Sequence, residues 1–127
     1  MVTAMLLLVA TPAGASPMNA WKSSVRPSLV AWRSTYLKID AALHVNEIAT
    51  ARTLLVTFSV DSVDLAQHAD SPDSKLNAAL MNVARASSTW AFYAALALGG
   101  SVTYAEMFTA YTPHLKAALV TLEGMPS

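Results

Sequence analysis

Apolar residues recur every three or four positions along the chain from residue 21 onward. The first stripe comprises Trp21, Val25, Leu29, Trp32, Tyr36, Ile39 and Leu43. Comparable stripes run over residues 48–69, 76–97 and 108–122. Such spacing places apolar side chains on one face of an α-helix, whereas a half-buried strand would alternate every second residue. The pattern therefore predicts four amphipathic helices and no strand.

Three short breaks separate these stripes, at residues 44–46, 70–74 and 99–100. Short connections make consecutive helices antiparallel neighbours. We therefore predict an all-α fold, an antiparallel up-down-up-down four-helix bundle that forms a single domain over residues 16–127. A chain of 127 residues suits one hydrophobic core and is too short for two ordinary domains.

Residues that commonly cap helices stand near the predicted helix starts. Asn46 is predicted as the N-cap of the second helix. Ser71 is predicted to cap the third helix, with Pro72 at its first position. The stretch from Thr103 to Glu106 has the T-x-x-E spacing of a capping box, which predicts that the fourth helix begins there.

Two prolines fall inside predicted helices. Pro27 lies within the first stripe, and because the stripe keeps its phase across the proline, a kink is favoured over a helix that begins at this residue. Pro113 predicts a bend or a break near Tyr111 in the fourth helix.

The N-terminal segment has the character of an export signal. Residues 2–10 are apolar apart from Thr3, too short a run to span a bilayer, and Ala13-Gly14-Ala15 matches a signal-peptidase site. Residues 1–5 contain no Lys or Arg, so the basic n-region would lie upstream. We predict a signal peptide over residues 1–15. Two alternatives for this segment are a short apolar helix that packs on the domain and, less favoured, an uncleaved membrane anchor.

Composition narrows the classes of partner. The chain is 54% hydrophobic and 13% charged, and eight Lys and Arg balance eight Asp and Glu. No net positive field is present to attract nucleic acid, so no nucleic-acid partner is expected. The absence of cysteine excludes disulfides and thiolate metal sites. A secreted or cell-envelope location is predicted, with membrane contact only transient and through the export segment.

The residues that usually carry catalysis do not form a recognisable motif. His44, His68 and His114 are far apart in sequence and lack the spacing of zinc ligands. Asp61 and Asp64 are three residues apart on the second helix, where a solvated face is the favoured interpretation. No G-x-S-x-G or phosphate-binding loop occurs. We therefore predict no enzyme, no catalytic residues, no metal and no cofactor.

The third helix is unusually apolar near its end. The stretch from Trp90 to Leu98 lacks the polar outer face of a bundle helix, apart from the Tyr93 hydroxyl. It either widens the core, forms a surface for another protein or a second copy, or lines a pocket for an apolar ligand. The predicted interaction surface comprises Trp90, Phe92, Tyr93 and Leu96.

Two functional hypotheses follow. The leading one is an exported, non-catalytic module for protein interaction or for association with the envelope. The alternative is a carrier that binds a small apolar ligand, a lipid or a haem, within the bundle. Tyr93, Tyr104, Tyr111 and His114 would ligate or clamp such a ligand.

Several stretches together resemble a group of small, Ala-rich, secreted or lipid-anchored actinobacterial proteins of the kind common in mycobacteria, whose function is unknown. They are the apolar N-terminal segment, "NAWKSSVRPSLVAW", "HVNEIATARTLL", "DSPDS" and a final helix after Gly-Gly. The resemblance implies an exported helical bundle and brings no catalytic residues with it.

Overall fold

A computed structural model describes residues 17–125 of the chain. Four helices account for nearly all of this range: α1 (Pro17–His44), α2 (Ile48–Gln67), α3 (Ser74–Leu98) and α4 (Val102–Glu123). The described range contains no strand. The prediction of an all-α, four-helix fold is confirmed.

Each helix packs on the helix that follows it in the chain, α1 on α2, α2 on α3 and α3 on α4. The connecting segments are short, so the helices alternate in direction and form the predicted up-down-up-down bundle. No Cα atom of α1 lies within 8 Å of a Cα atom of α4. The bundle is therefore open along the side between its first and last helices.

The core is built from the predicted stripes. Its largest fully buried side chains are Trp32, Ile39, Phe58, Leu65, Leu80, Val83 and Leu115. Helix α3 contributes most, with ten buried residues against five in α2, although both helices pack on two neighbours. Small residues such as Ala84, Ala91 and Ala94 are buried on it and allow close approach of its neighbours.

Two of the connections use the same turn chemistry. Asn46 has a φ of 57°, and the Glu47 and Asn46 amides donate to the carbonyls of Ala42 and Leu43. After α3, Gly100 has a φ of 104°, and two amides after the helix donate back in the same pattern. Both are Schellman motifs, in which a left-handed residue satisfies the last carbonyls of a helix. Asn46 therefore belongs to the motif that terminates α1 after His44, and the prediction that it caps α2 is wrong.

The other two helix starts lie close to the predicted ones but use different caps. Asp73 is the N-cap of α3, where its carboxylate accepts from the amides of Lys75 and Leu76. Ser101 is the N-cap of α4 and accepts from the Tyr104 amide over 3.2 Å. Each lies two residues from the predicted cap, because several capping residues stand within one turn of each start.

Neither internal proline interrupts its helix. Helix α1 is continuous across Pro27, as the phase of its stripe indicated, and α4 continues across Pro113. The break considered near Tyr111 is therefore absent. No helix within residues 17–125 combines the length and the apolar character needed to cross a bilayer. The predicted signal peptide, residues 1–15, lies outside the described residues.

Candidate functional site

Trp90 does not belong to the predicted interaction surface, because its side chain is only 2% exposed. Its ring lies 5.4 Å from that of Phe58 and 5.0 Å from that of Phe108, measured between centroids. Its indole N–H donates to the Thr112 hydroxyl over 3.0 Å. Trp90 is thus a core residue that joins α3 to α2 and α4, and its inclusion in the surface is corrected.

Phe92 lies on the opposite side of α3 and is 56% exposed, while Tyr93 and Leu96 are half-buried. The rings of Phe92 and Tyr104 are nearly perpendicular, with a centroid distance of 6.0 Å. Tyr93 lies 5.9 Å from Tyr104 and 5.5 Å from Tyr111. Three of the four predicted surface residues therefore reach the surface of the bundle.

The row of rings continues along α4, where Tyr111 lies 4.9 Å from His114. We call Phe92, Tyr93, Tyr104, Tyr111 and His114 the aromatic face. Tyr104 and Tyr111 are seven residues apart, or about two helical turns, so they share one side of α4. The tight turn between α3 and α4 brings that side opposite Phe92 and Tyr93.

The tyrosines of the aromatic face keep their polar groups available. No residue of the described chain hydrogen-bonds to the hydroxyls of Tyr93, Tyr104 or Tyr111. Tyrosine at an interface supplies rigid apolar area with a hydroxyl that can donate or accept. The aromatic face therefore combines apolar rings with hydroxyls that are free to pair with another molecule.

The residues that were predicted to clamp an apolar ligand do lie together, since all of them belong to the aromatic face. Beside Tyr111 and His114 the outer side of α3 and α4 forms a groove of about 460 Å³. Asn82 and Arg85 of α3 also line it. The groove is open to solvent, and Ala79 and Ala86 of the core also line it.

The remaining candidates for chemistry do not converge. His44 lies at the end of α1, where its Nδ1 is 2.9 Å from the Asp40 carbonyl oxygen. Asp61 accepts a hydrogen bond from the Thr35 hydroxyl over 2.7 Å, and Asp64 is exposed. Across residues 17–125, no three acidic or histidine side chains are grouped so that they could hold a metal ion.

One tyrosine outside the aromatic face has a shifted pKa. Tyr36 of α1 stacks on Trp32 with a centroid distance of 5.5 Å and nearly parallel rings. Burial, and secondly the charge of Asp40, raise the pKa of the Tyr36 phenol above its usual value of 10.0. The partly buried phenol packs against the aromatic core, beside Trp32, Phe58 and Trp90.

The interaction surface, the absence of catalysis, the export and the actinobacterial resemblance remain predictions at this point. Comparison with protein-family models, with curated proteins and with solved structures finds no match for this chain.

Proposed function

We propose that the chain is an exported, non-catalytic helical-bundle protein that binds a protein partner or a second copy of itself through the aromatic face. The observation that carries the proposal is the position of Phe92. Its ring is 56% exposed, yet it is held in place by contacts with Tyr93 and Tyr104. The bundle thus presents a large apolar side chain to solvent in a fixed orientation.

The energetics of interfaces support this function. Phe and Tyr are enriched at protein interfaces, because they bury much area and lose little conformational freedom on binding. On the aromatic face the rings already contact one another, so their orientations are restricted before a partner arrives. Leu96, half-buried one turn after Phe92, adds aliphatic surface beside the rings.

A binding role is also favoured by the arrangement of the ionisable groups. General acid–base catalysis needs a titratable group placed close to a reacting atom, usually in a cleft. Within residues 17–125 the histidines and aspartates form no group of three that could hold a metal ion, and Asp61 is engaged by Thr35. The proposal therefore assigns no catalytic residue.

The test of the interaction compares two substitutions at equally exposed positions. Phe92→Asp introduces a charge in the aromatic face, whereas Val63→Asp introduces one on α2 at a position that is also 56% exposed. We expect self-association in sedimentation experiments, or photo-crosslinking from position 104 of the aromatic face to an envelope protein, to be lost in Phe92→Asp and kept in Val63→Asp. Leu96→Asp should weaken it as well.

Stability is measured alongside, so that loss of binding is separated from loss of folding. Phe92→Asp should keep the helical circular dichroism and the free energy of unfolding of Val63→Asp. If Phe92→Asp and Leu96→Asp associate as the unmodified chain does, the aromatic face is not the binding surface.

Export is tested separately by intact mass. The protein recovered from culture filtrate or envelope should lack residues 1–15, as predicted from the Ala13-Gly14-Ala15 site. A chain that retains residues 1–15 and is found only in the cytosol would contradict the proposed location.

A further inference from the structure

The open side of the bundle forms a long apolar groove between α1 and α4. This groove has a volume of about 640 Å³. Trp21, Val25 and Leu29 line it from α1, and Leu119 and Leu122 line it from α4, with Met125 just beyond that helix. Pockets for small ligands commonly have volumes of roughly 300–1,000 Å³ and mainly apolar walls. The α1–α4 groove has the size and lining of such a site.

Two cations stand on the rim of the α1–α4 groove without a counter-charge. Lys22 and Arg26 both line it and are four residues apart on α1, so they lie on the same side of the helix. No carboxylate within residues 17–125 lies within 4 Å of either cation. Arg33, farther along the rim, is instead paired with Glu123 of α4. Like charges at this spacing oppose helix formation, and a bound anion would relieve that repulsion.

We propose that the α1–α4 groove binds a single-chain amphipath with one acidic headgroup. The alkyl chain lies on the apolar lining, and the headgroup lies against Lys22 and Arg26. This site is separate from the aromatic face, so it adds a ligand to the proposed interaction function and does not depend on it.

The walls of the α1–α4 groove favour such a ligand. The Trp21 indole N–H donates to the His68 carbonyl oxygen over 2.6 Å, which fixes one wall at the end where the cations stand. Val30 and Leu37 also line the groove and are 62% and 57% exposed. An alkyl chain placed along them would remove this apolar surface from water.

Charge distinguishes this occupant from the apolar N-terminal segment. Residues 1–16 contain no Asp or Glu. If that segment covered the α1–α4 groove, it would bury the apolar lining but leave Lys22 and Arg26 without a counter-charge. An acidic amphipath satisfies both features of the groove.

The experiment compares two ligands with the same chain and opposite headgroups, each below its micellar concentration. The full chain is titrated with dodecanoate and with dodecyltrimethylammonium, followed by calorimetry and by the indole N–H resonances. We expect dodecanoate to bind more tightly than dodecyltrimethylammonium. Its binding should shift the Trp21 indole resonance and leave those of Trp32 and Trp90 unchanged, because these two side chains are buried in the core. Equal affinity for the two ligands, or no binding of dodecanoate, would overturn the proposal.

Variants then assign the headgroup and the chain. The double variant Lys22→Gln/Arg26→Gln should weaken dodecanoate binding by about tenfold or more and leave dodecyltrimethylammonium binding no weaker. Lys116→Gln is the matched control, because Lys116 is exposed and does not line the α1–α4 groove. It should change the affinity for neither ligand.

Leu37→Asp should also weaken dodecanoate binding by about tenfold, because it places a carboxylate in the groove. Val63→Asp, at nearly the same exposure on α2, should not. Dodecanoate binding that is unchanged in the Lys22/Arg26 double variant would exclude the headgroup position. Binding only to vesicles of anionic phospholipid, with none to dodecanoate, would replace the small-ligand site by a membrane surface.

Discussion

Trp32 and Ser87 join the first and third helices through a buried hydrogen bond. The Trp32 indole N–H donates to the Ser87 hydroxyl over 2.9 Å, and that hydroxyl in turn donates to the Val83 carbonyl over 2.6 Å. Both side chains are at most 1% exposed. The largest core residue of α1 therefore has its one polar atom satisfied by a single hydroxyl on α3, a helix with which α1 makes no close backbone contact.

Ser87→Ala is expected to destabilise the fold by about 1–3 kcal/mol, because it leaves the Trp32 N–H buried without an acceptor. Ser62→Ala is the matched control. Ser62 is equally buried, but its hydroxyl donates only to the Phe58 carbonyl of its own helix. Chemical denaturation should show the larger loss in free energy of unfolding for Ser87→Ala. Equal losses would show that the hydrogen bond to Trp32 contributes nothing specific.

Trp90 and Phe92 should lose very different amounts of stability on truncation, although only one residue separates them. Trp90→Ala removes a buried ring and is expected to cost about 3–5 kcal/mol of unfolding free energy. Phe92→Ala removes an exposed ring and should cost about 1 kcal/mol or less. Thermal or urea unfolding of the two variants checks this, and comparable losses would contradict the assignment of Phe92 to the surface.

The turn after α3 should depend on glycine. Gly100 has a φ of 104°, and no atom lies within 4 Å of the point where a Cβ would stand. Gly100→Ala is therefore expected to cost about 1–2 kcal/mol of unfolding free energy through backbone strain alone. Asn46→Gly, at the left-handed position of the other turn, serves as the comparison and should change stability by about 0.5 kcal/mol or less. A Gly100→Ala variant as stable as the unmodified chain would refute the strain.

Tyr36 should make the fold sensitive to alkaline pH. Because the pKa of its phenol is raised in the folded chain, the neutral phenol is favoured by folding. Its contribution to stability is complete below the unfolded pKa near 10 and is lost as pH rises through the higher folded pKa. Tyr36→Phe cannot ionise and should lose less unfolding free energy than the unmodified chain between neutral pH and about pH 11. Parallel pH dependence of the two proteins would contradict the shift.

The core could be predicted from the sequence because its signal is periodic. In α2 every buried residue falls on the three- or four-residue spacing of the stripe predicted over residues 48–69, and these residues are Ala51, Leu55, Phe58, Ser62 and Leu65. Near the end of α3 the stripe also gives the right direction, since it contains Trp90 and Ala94 but not Phe92. The inclusion of Trp90 in the interaction surface is wrong because it rests on the apolar residues that surround the whole helix there and not on the period of the stripe.

The α1–α4 groove has a weaker signal in the sequence. Val30 and Leu37 lie outside the main stripe of α1. Because they are seven residues apart, they share one side of the helix and indicate a second apolar strip. Whether such a strip is covered depends on how far apart two helices stand. That spacing is set by the side chains between α1, α3 and α4 together, so no single segment of sequence determines it.

The open side of the bundle also has a consequence for how the chain folds. Backbone contacts between helices join only consecutive elements, so the pairing with the greatest sequence separation, between α1 and α4, is missing. Chains rich in local contacts fold fast, because only short loops must close before apolar area is buried. We expect refolding on the millisecond scale or faster, which rapid-mixing tryptophan fluorescence would measure. Across the open side, α1 and α4 are joined by the ion pair of the exposed side chains Arg33 and Glu123, and such surface pairs contribute little to stability.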